Sequence, residues 1–211
     1  MPQLNVADTC VGTRALGPGW RSVVWVQGCP LDCAGCVAPD WVPDRPSRLV
    51  SPAGLADELL ADPAVTGLTL SGGEPMAQAA GLAELVGLAR ARRELDVVCF
   101  TGFTVEVLRD RPPGPGVADL LALVDVLVDG PYVARRDDGR GLRGSDNQRV
   151  HHLTDRLRGS GYDFAGRPRS VEVRVRDRGA LLVGVPTAGV LRRFDEAIDR
   201  CAEHLGQGGP R

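Results

Sequence analysis

The chain has 211 residues, 43% of them hydrophobic and 25% charged, and a formal net charge of -2. That balance excludes a disordered or fibrous protein and gives no electrostatic pull toward nucleic acid or anionic lipid, while the length suffices for one sizeable core with an appendage. No apolar run reaches eighteen residues and the amino terminus lacks a basic stretch followed by an apolar one, so the sequence predicts no membrane span, no signal peptide and a cytoplasmic location. All 25 basic residues are arginine, which removes lysine-based chemistry from consideration.

In chain order, SVVWVQ (22–27), GLTLS (67–71), DVVCF (96–100) and DVLVD (125–129) are short, apolar and rich in Val and Leu, as strands buried on both faces are. Between them PAGLADELLA (52–61), AAGLAELVGLARARR (79–93) and VADLLALV (117–124) carry helical apolar spacing, and Ser51 before Pro52 predicts a cap with proline in the first turn. Alternating strand and helix predicts an α/β fold: parallel strands in an open sheet or a (β/α) barrel. Two glycine-rich polar stretches follow (135–149 and 156–169), with VHHL as a short strand between them. After them, VEVRVRDRGALLVGV predicts a hairpin turning at Asp177 to Gly179, and VLRRFDEAIDRCAEHL an amphipathic helix ending near Gly206, with a frayed GQGGPR tail. The alternation in VEVRVR makes its arginines a solvated face. The division expected is a core over 1–154 and a carboxyl-terminal extension over 155–211 that packs on it.

In either α/β architecture ligands gather at the carboxyl ends of the strands. The unusual residues of this chain fall there: CPLDCAGC (29–36) after the first strand, SGGEP (71–75) after the second, TGF after the third and DGPY after the fourth. Six cysteines occur, and three of them, Cys29, Cys33 and Cys36, crowd into eight residues. In a reducing compartment that spacing points to metal or redox chemistry rather than disulfides. The scattered Cys10, Cys99 and Cys201 read as small buried or half-buried side chains.

A tetrahedral zinc site needs a fourth ligand, for which His151, His152, Cys10 and Cys99 are the candidates, none of them in a paired knuckle. A 4Fe-4S cluster held by three thiolates instead keeps one iron free for a substrate. The spacing favours a catalytic cluster and leaves zinc and unrelated thiols as alternatives. The turn Ser71-Gly72-Gly73-Glu74-Pro75 lets backbone approach a ligand closely. Its carbonyls and carboxylate suit an ammonium group, and Pro75 is placed to start the next helix.

Together, CxxxCxxC at the first strand and GGE at the second resemble the radical S-adenosylmethionine superfamily. The ordered blocks GPGWRSVVWVQGCPLDCAGC, LTLSGGEP, FTGFTVEVL, VDVLVDGPYV and LRGSDNQRVHHL are similar to the activating proteins of anaerobic ribonucleoside-triphosphate reductase. The resemblance spans roughly Gly17 to Leu153. It implies a full or partial barrel of parallel β/α units, here carrying a hairpin and helix as extension, and incomplete on one side so that a large partner can reach the rim.

The resemblance also implies chemistry and site residues. Cys29, Cys33 and Cys36 would bind three irons of a 4Fe-4S cluster, with S-adenosylmethionine chelating the fourth. Ser71, Gly72, Gly73, Glu74 and Pro75 form the turn whose Gly72, Gly73 and Glu74 would hold the cofactor's amino group, while Gly35 and Val37 beside Cys36 would meet its adenine. Thr101, Gly102, Asp129 and Gly130 would face the ribose, the methionine or the target, and Asn147 and Gln148 lie in a block shared with the reductase activators, with a turn-forming role equally open. Electrons from a flavodoxin or ferredoxin would cleave the cofactor to an adenosyl radical, which removes hydrogen from a glycine of a partner glycyl radical enzyme. No general acid or base is needed for that step. The activators end near the GSxNQ block, whereas this chain continues for almost sixty residues. Modification of a peptide or small metabolite by the same radical, and a non-catalytic zinc or electron-transfer module, therefore stand as alternatives.

Overall fold

The computed structural model describes residues 3–177 and 179–206, with side chains to Cys201. The expected tail beyond Gly206 and the turn residue Arg178 lie outside the described residues. The elements are β1 (Leu4–Thr13), β2 (Arg21–Val26), β3 (Arg48–Val50), α1 (Pro52–Leu59), β4 (Gly67–Gly72), α2 (Ala79–Arg92), β5 (Asp96–Phe100), α3 (Val105–Asp110), α4 (Val117–Leu123), β6 (Val126–Asp129), β7 (Arg149–His152), β8 (Val171–Val175), β9 (Ala180–Gly184) and α5 (Ala188–Gly206). The four expected central strands form, as do the expected helices to within two residues at their ends. Ser51 caps α1 by accepting the Gly54 N–H at 3.2 Å, with Pro52 in the first turn.

Seven strands make one sheet in the order β3-β1-β2-β4-β5-β6-β7. β2, β4, β5 and β6 are parallel neighbours, while β1, β3 and β7 run antiparallel to theirs. A closed barrel was one of the two sequence expectations; among the described residues the sheet is open, with β3 and β7 as its edges. The hairpin β8-β9 forms a separate two-stranded sheet.

Side chains alternate across the strands, and each face has its own core. Val24, Val26, Leu68, Leu70, Val97 and Leu127 pack with Leu55 and Leu59 of α1, Leu82, Leu85 and Val86 of α2, and Leu120 of α4. On the opposite face Val23, Trp25, Val98 and Val126 pack with Leu142, Leu157 and Phe164 of the glycine-rich stretches and with Leu181 and Val183 of β9. Helices α1, α2 and α4 therefore cover one face, and chain after β6 covers the other.

The hairpin is held to β1 by its arginines, whose side chains keep the solvent exposure expected of that face. Arg176 makes two 2.9 Å bonds to the Asp8 carboxylate and Arg174 donates to the Gly12 carbonyl. These side chains stay partly exposed, so each exposed pair contributes about 1 kcal/mol or less.

Three elements had no counterpart in the sequence reading. β1 carries two register irregularities against β2, which break the alternation that would mark it. β3 is three residues long. α3 is six residues with two valines, and its first free N–H groups are taken by Thr104, which accepts from Val107, and by Asp129, which accepts from Val105 at 2.6 Å.

Beneath the rim, at the amino ends of the parallel strands, Arg21 is fully buried. Its guanidinium donates to Thr69 Oγ1 at 2.8 Å, to the Pro18 carbonyl at 3.0 Å, to the Leu68 carbonyl and to Asp96, so it ties β2 to β4 and β5. Removing one member of a buried pair leaves the other uncompensated. Arg21→Met is accordingly expected to destabilise the apoprotein by about 3–5 kcal/mol in urea unfolding, and Arg21→Met combined with Asp96→Ala to lose less than the sum of the single changes.

Candidate active site

The rim above the parallel strands begins at the exit of β2. There the loop that carries the cysteines is closed at its base: the Gly28 N–H donates to the Trp41 carbonyl and the Cys29 N–H to the Val42 carbonyl, both at 2.9 Å. The Gln27 side chain ties the same return by donating to the carbonyls of Pro43 (2.8 Å) and Asp40 (3.2 Å). Within the loop the Cys36 N–H donates to the Cys33 carbonyl at 3.0 Å.

Cys29, Cys33 and Cys36 are free thiols, each half-buried. Burial pushes the Cys29 and Cys33 thiols up; backbone N–H groups of Leu31 and Tyr132 respectively pull them back. The neighbouring thiols and the Glu74 carboxylate add to the rise. Such thiols stay protonated until a cation arrives, because metal binding stabilises the thiolate and releases the proton. Among the described residues no three His, Cys, Asp or Glu side chains converge on one point as a finished metal site. The loop thus fits an iron cluster by donor chemistry and proximity, and convergence of the three sulfurs is left to the incoming group. Cys99 is fully buried in the helix-side core and Cys10 is buried on the other face. Cys201 is exposed on α5, which corrects its reading as a buried or half-buried side chain.

Beside the loop, β4 ends in the two glycines, and the reason for glycine is the neighbouring backbone. A Cβ on Gly72, whose φ is +113°, would lie 2.3 Å from the Val26 nitrogen, and one on Gly73 would lie 2.2 Å from the Gly28 oxygen. The Gly73 N–H donates to the Val26 carbonyl at 2.7 Å and the Glu74 N–H to the Gly28 carbonyl at 2.9 Å. These glycines bring the turn against the cysteine loop, where the sequence had suggested close approach to a ligand.

Glu74 points into the protein. It is 1% exposed, and its carboxylate accepts from the Met76 N–H (2.9 Å), the Thr101 hydroxyl (2.8 Å) and the Gly102 N–H (2.8 Å). The carboxylate clamps the end of β4 to the end of β5 and caps the single turn, begun by Pro75, that leads into α2. Burial raises its pKa to about 7 against the pull of those three donors.

The remaining predicted residues divide. Thr101 and Gly102 are committed to Glu74, and a Cβ on Gly102 would strike Leu31 of the cysteine loop at 2.2 Å. Asp129 is buried and takes the Val105 N–H and both a 3.0 Å and a 2.6 Å bond from Arg149. Burial raises its pKa, and those donors together hold it below the usual carboxylate range. Gln148 donates to the Gly130 carbonyl at 2.7 Å and accepts the Gly144 N–H at 2.7 Å, while Asn147 donates to the Pro131 carbonyl at 2.8 Å. These bonds favour the turn-forming side of the two readings left open for Asn147 and Gln148.

A cavity of about 560 Å³ opens on the face of the sheet opposite α1, α2 and α4, within the range of small-molecule sites. Cys36, Val37, Ser71, Gly72 and Gln148 of the predicted set line it. Cys29, Cys33, Gly35, Gly73, Glu74, Pro75, Thr101, Gly102, Asp129, Gly130 and Asn147 are outside that lining. Trp25, Trp41, Phe100 and Tyr132 line it as well, together with Leu181, Val185, Leu191 and Phe194 from the chain beyond β8. Sequence reasoning missed these; the one signal available was that Trp25 and Phe100 stand near strand ends.

The arrangement, an iron-compatible cysteine loop at the carboxyl ends of parallel strands beside an aromatic cavity, defines a cofactor-dependent α/β enzyme site. The model of the 4Fe-4S single cluster domain family matches residues 15–151. The chain is 35% identical over 148 residues to the anaerobic ribonucleoside-triphosphate reductase-activating protein of Vibrio cholerae, covering 65% of this chain and 91% of that protein. It is 33% identical over 145 residues to the protein of the same name from Enterobacteria phage T4, covering 66% and 88%. A shorter likeness, 41% over 68 residues, covers 29% of this chain and 27% of the pyruvate formate-lyase-activating enzyme of Staphylococcus aureus. The chain belongs to the 4Fe-4S single cluster family of radical S-adenosylmethionine activating enzymes, with the cluster and S-adenosylmethionine as its cofactors. With a 4Fe-4S cluster as its cofactor, the chain carries iron where zinc had stood as an alternative.

Two tests of this geometry follow from glycine and glutamate. Gly73→Ala is expected to cost about 1–3 kcal/mol of apoprotein stability in urea unfolding, because backbone and not a flexible side chain blocks the new methyl. For Glu74 the folded pKa lies above the unfolded value of 4.5, so the native state binds its proton more tightly. Its contribution is present below about pH 4.5 and is lost as pH rises through about 7, by up to about 3 kcal/mol. Unfolding measured across that window is expected to show a smaller loss of stability with rising pH in Glu74→Gln than in the wild type.

Proposed function

We propose that the chain is an activase that makes a glycyl radical on a partner enzyme, with an anaerobic ribonucleotide reductase as the leading partner. The single observation that carries this reading is the loop of three free, half-buried thiols at the carboxyl ends of β2 and β4, beside a cavity lined by Cys36, Ser71 and Gly72. In this reading Cys29, Cys33 and Cys36 hold the cluster. Ser71, Gly72 and Val37 border the S-adenosylmethionine, and Gly73 and Glu74 act by fixing the turn against the loop. When bound, the cluster supplies the electron that splits the sulfonium's carbon-sulfur bond, and hydrogen abstraction from the target follows. The protein's own part is to position the cofactor, to shut water out of the cavity and to keep the cysteine loop rigid at its base.

We take the open sheet as the partial barrel of this enzyme class, with residues 155–211 as an appendage to a core over 1–154. A flavodoxin or ferredoxin is the proposed reductant, and the cytoplasm the proposed location; no described helix is long and apolar enough to cross a membrane. One observation favours a second reading, radical modification of a peptide or small metabolite: residues beyond the family match, Leu181 to Phe194 among them, line the same cavity.

After anaerobic reconstitution with iron and sulfide, dithionite and S-adenosylmethionine are expected to yield 5'-deoxyadenosine. Cys33→Ala is expected to lose both iron and that product, whereas Cys201→Ala keeps both. A glycyl radical signal on an added anaerobic reductase supports the activase. Product without any such signal, on the reductase of the same cell, would favour the second reading.

A further inference from the structure

The cavity has a wall that its family match does not supply. The match ends at residue 151, yet Ala180, Leu181 and Leu182 of β9, Val185 and Pro186 of the connection, and Leu191 and Phe194 of α5 all line the space bordered by Cys36 and Gly72. This wall is fastened. Val183 and Leu181 are buried in the same core as Trp25 and Val98, and Arg176 and Arg174 bond the hairpin to β1.

The composition of the lining adds a second observation. The chain has nine aromatic residues, three Trp, two Tyr and four Phe, and five of them, Trp25, Trp41, Phe100, Tyr132 and Phe194, line this one cavity. Among the described residues no arginine and no histidine reaches the lining. A space with aromatic faces and no basic group suits a flat, partly apolar ligand that carries positive charge. Leu191 and Phe194 are three residues apart on α5, so one face of the helix presents both. Both are only partly buried by the protein itself, which leaves apolar surface for a ligand to cover.

We infer that the carboxyl-terminal extension completes the S-adenosylmethionine site: Val185, Leu191 and Phe194 are ligand-contacting residues that cover the cofactor bound in this cavity. The inference rests on the functional reading above, and its consequence is that cofactor affinity depends on α5, an element that lies outside the family match. Apolar contact made on binding contributes affinity in proportion to the area covered.

The test is equilibrium binding of S-adenosylmethionine to the reconstituted full chain without reductant, read anaerobically by calorimetry and by the fluorescence of Trp25 and Trp41. Phe194→Ala and Leu191→Ala are each expected to weaken binding about five- to tenfold. Phe194→Leu, which keeps apolar bulk, should fall between Phe194→Ala and the wild type. Val190→Ser, on an exposed α5 residue outside the lining, should bind within about twofold of wild type. Binding by Phe194→Ala, Phe194→Leu and Leu191→Ala all within about twofold of wild type overturns the inference and leaves the functional reading standing. A wild-type chain that takes up iron but binds no S-adenosylmethionine overturns both.

Discussion

The backbone interlock between the ends of β2 and β4 is the constraint on which the rest of the site depends. Two consecutive glycines let the β4 exit lie directly against residues 26–28, and hydrogen bonds at 2.7 and 2.9 Å close the contact. Because the cysteine loop starts at residue 29 and returns to bond Gly28 and Cys29, its position is inherited from that contact. Glu74 extends the lock to β5 through Thr101 and Gly102. Three strand ends thus become one rim, and the loop with the three cysteines stands on it. Preorganised support of this kind is what places reactive groups reproducibly.

The two faces of the sheet divide the remaining labour. Helices α1, α2 and α4 supply the apolar packing that makes the parallel strands stable. The other face carries aromatic residues, the buried Arg21 and the cavity, and it is covered by glycine-rich loops and the hairpin. A parallel sheet needs both faces shielded. Here the shield on the second face contributes residues to the cavity, so the extension lines the same space as residues of the family match.

Legibility differed by element and by residue. The central strands were readable because burial on both faces makes each of them a short, continuous apolar run, and β2 is buried at all six positions. Ser51 and Pro52 were readable because capping is local. β1 was not: its pairing with β2 breaks register twice, so no unbroken period marks it. α3 was not, because its first turn is stabilised by Asp129 from a strand 24 residues away in sequence. At the site, the cysteine loop and the glycine turn were found from spacing alone. The roles of Glu74, Asp129 and Asn147 were not, since a carboxylate or amide that braces backbone and one that touches a ligand have the same letter.

By itself the sequence determined the donor set, three thiols at a spacing suited to one cluster, and the order of strand-end motifs that identifies the family. Those are properties of residue type and separation along the chain, which folding does not alter. Only the tertiary structure decided which of those motifs face the cavity and which brace the rim. It alone brought Trp41, Tyr132 and Phe194, more than 150 residues apart at the extremes, to one surface. Such convergence arises from packing between segments with no local signal linking them, and burial then assigns each polar group its work.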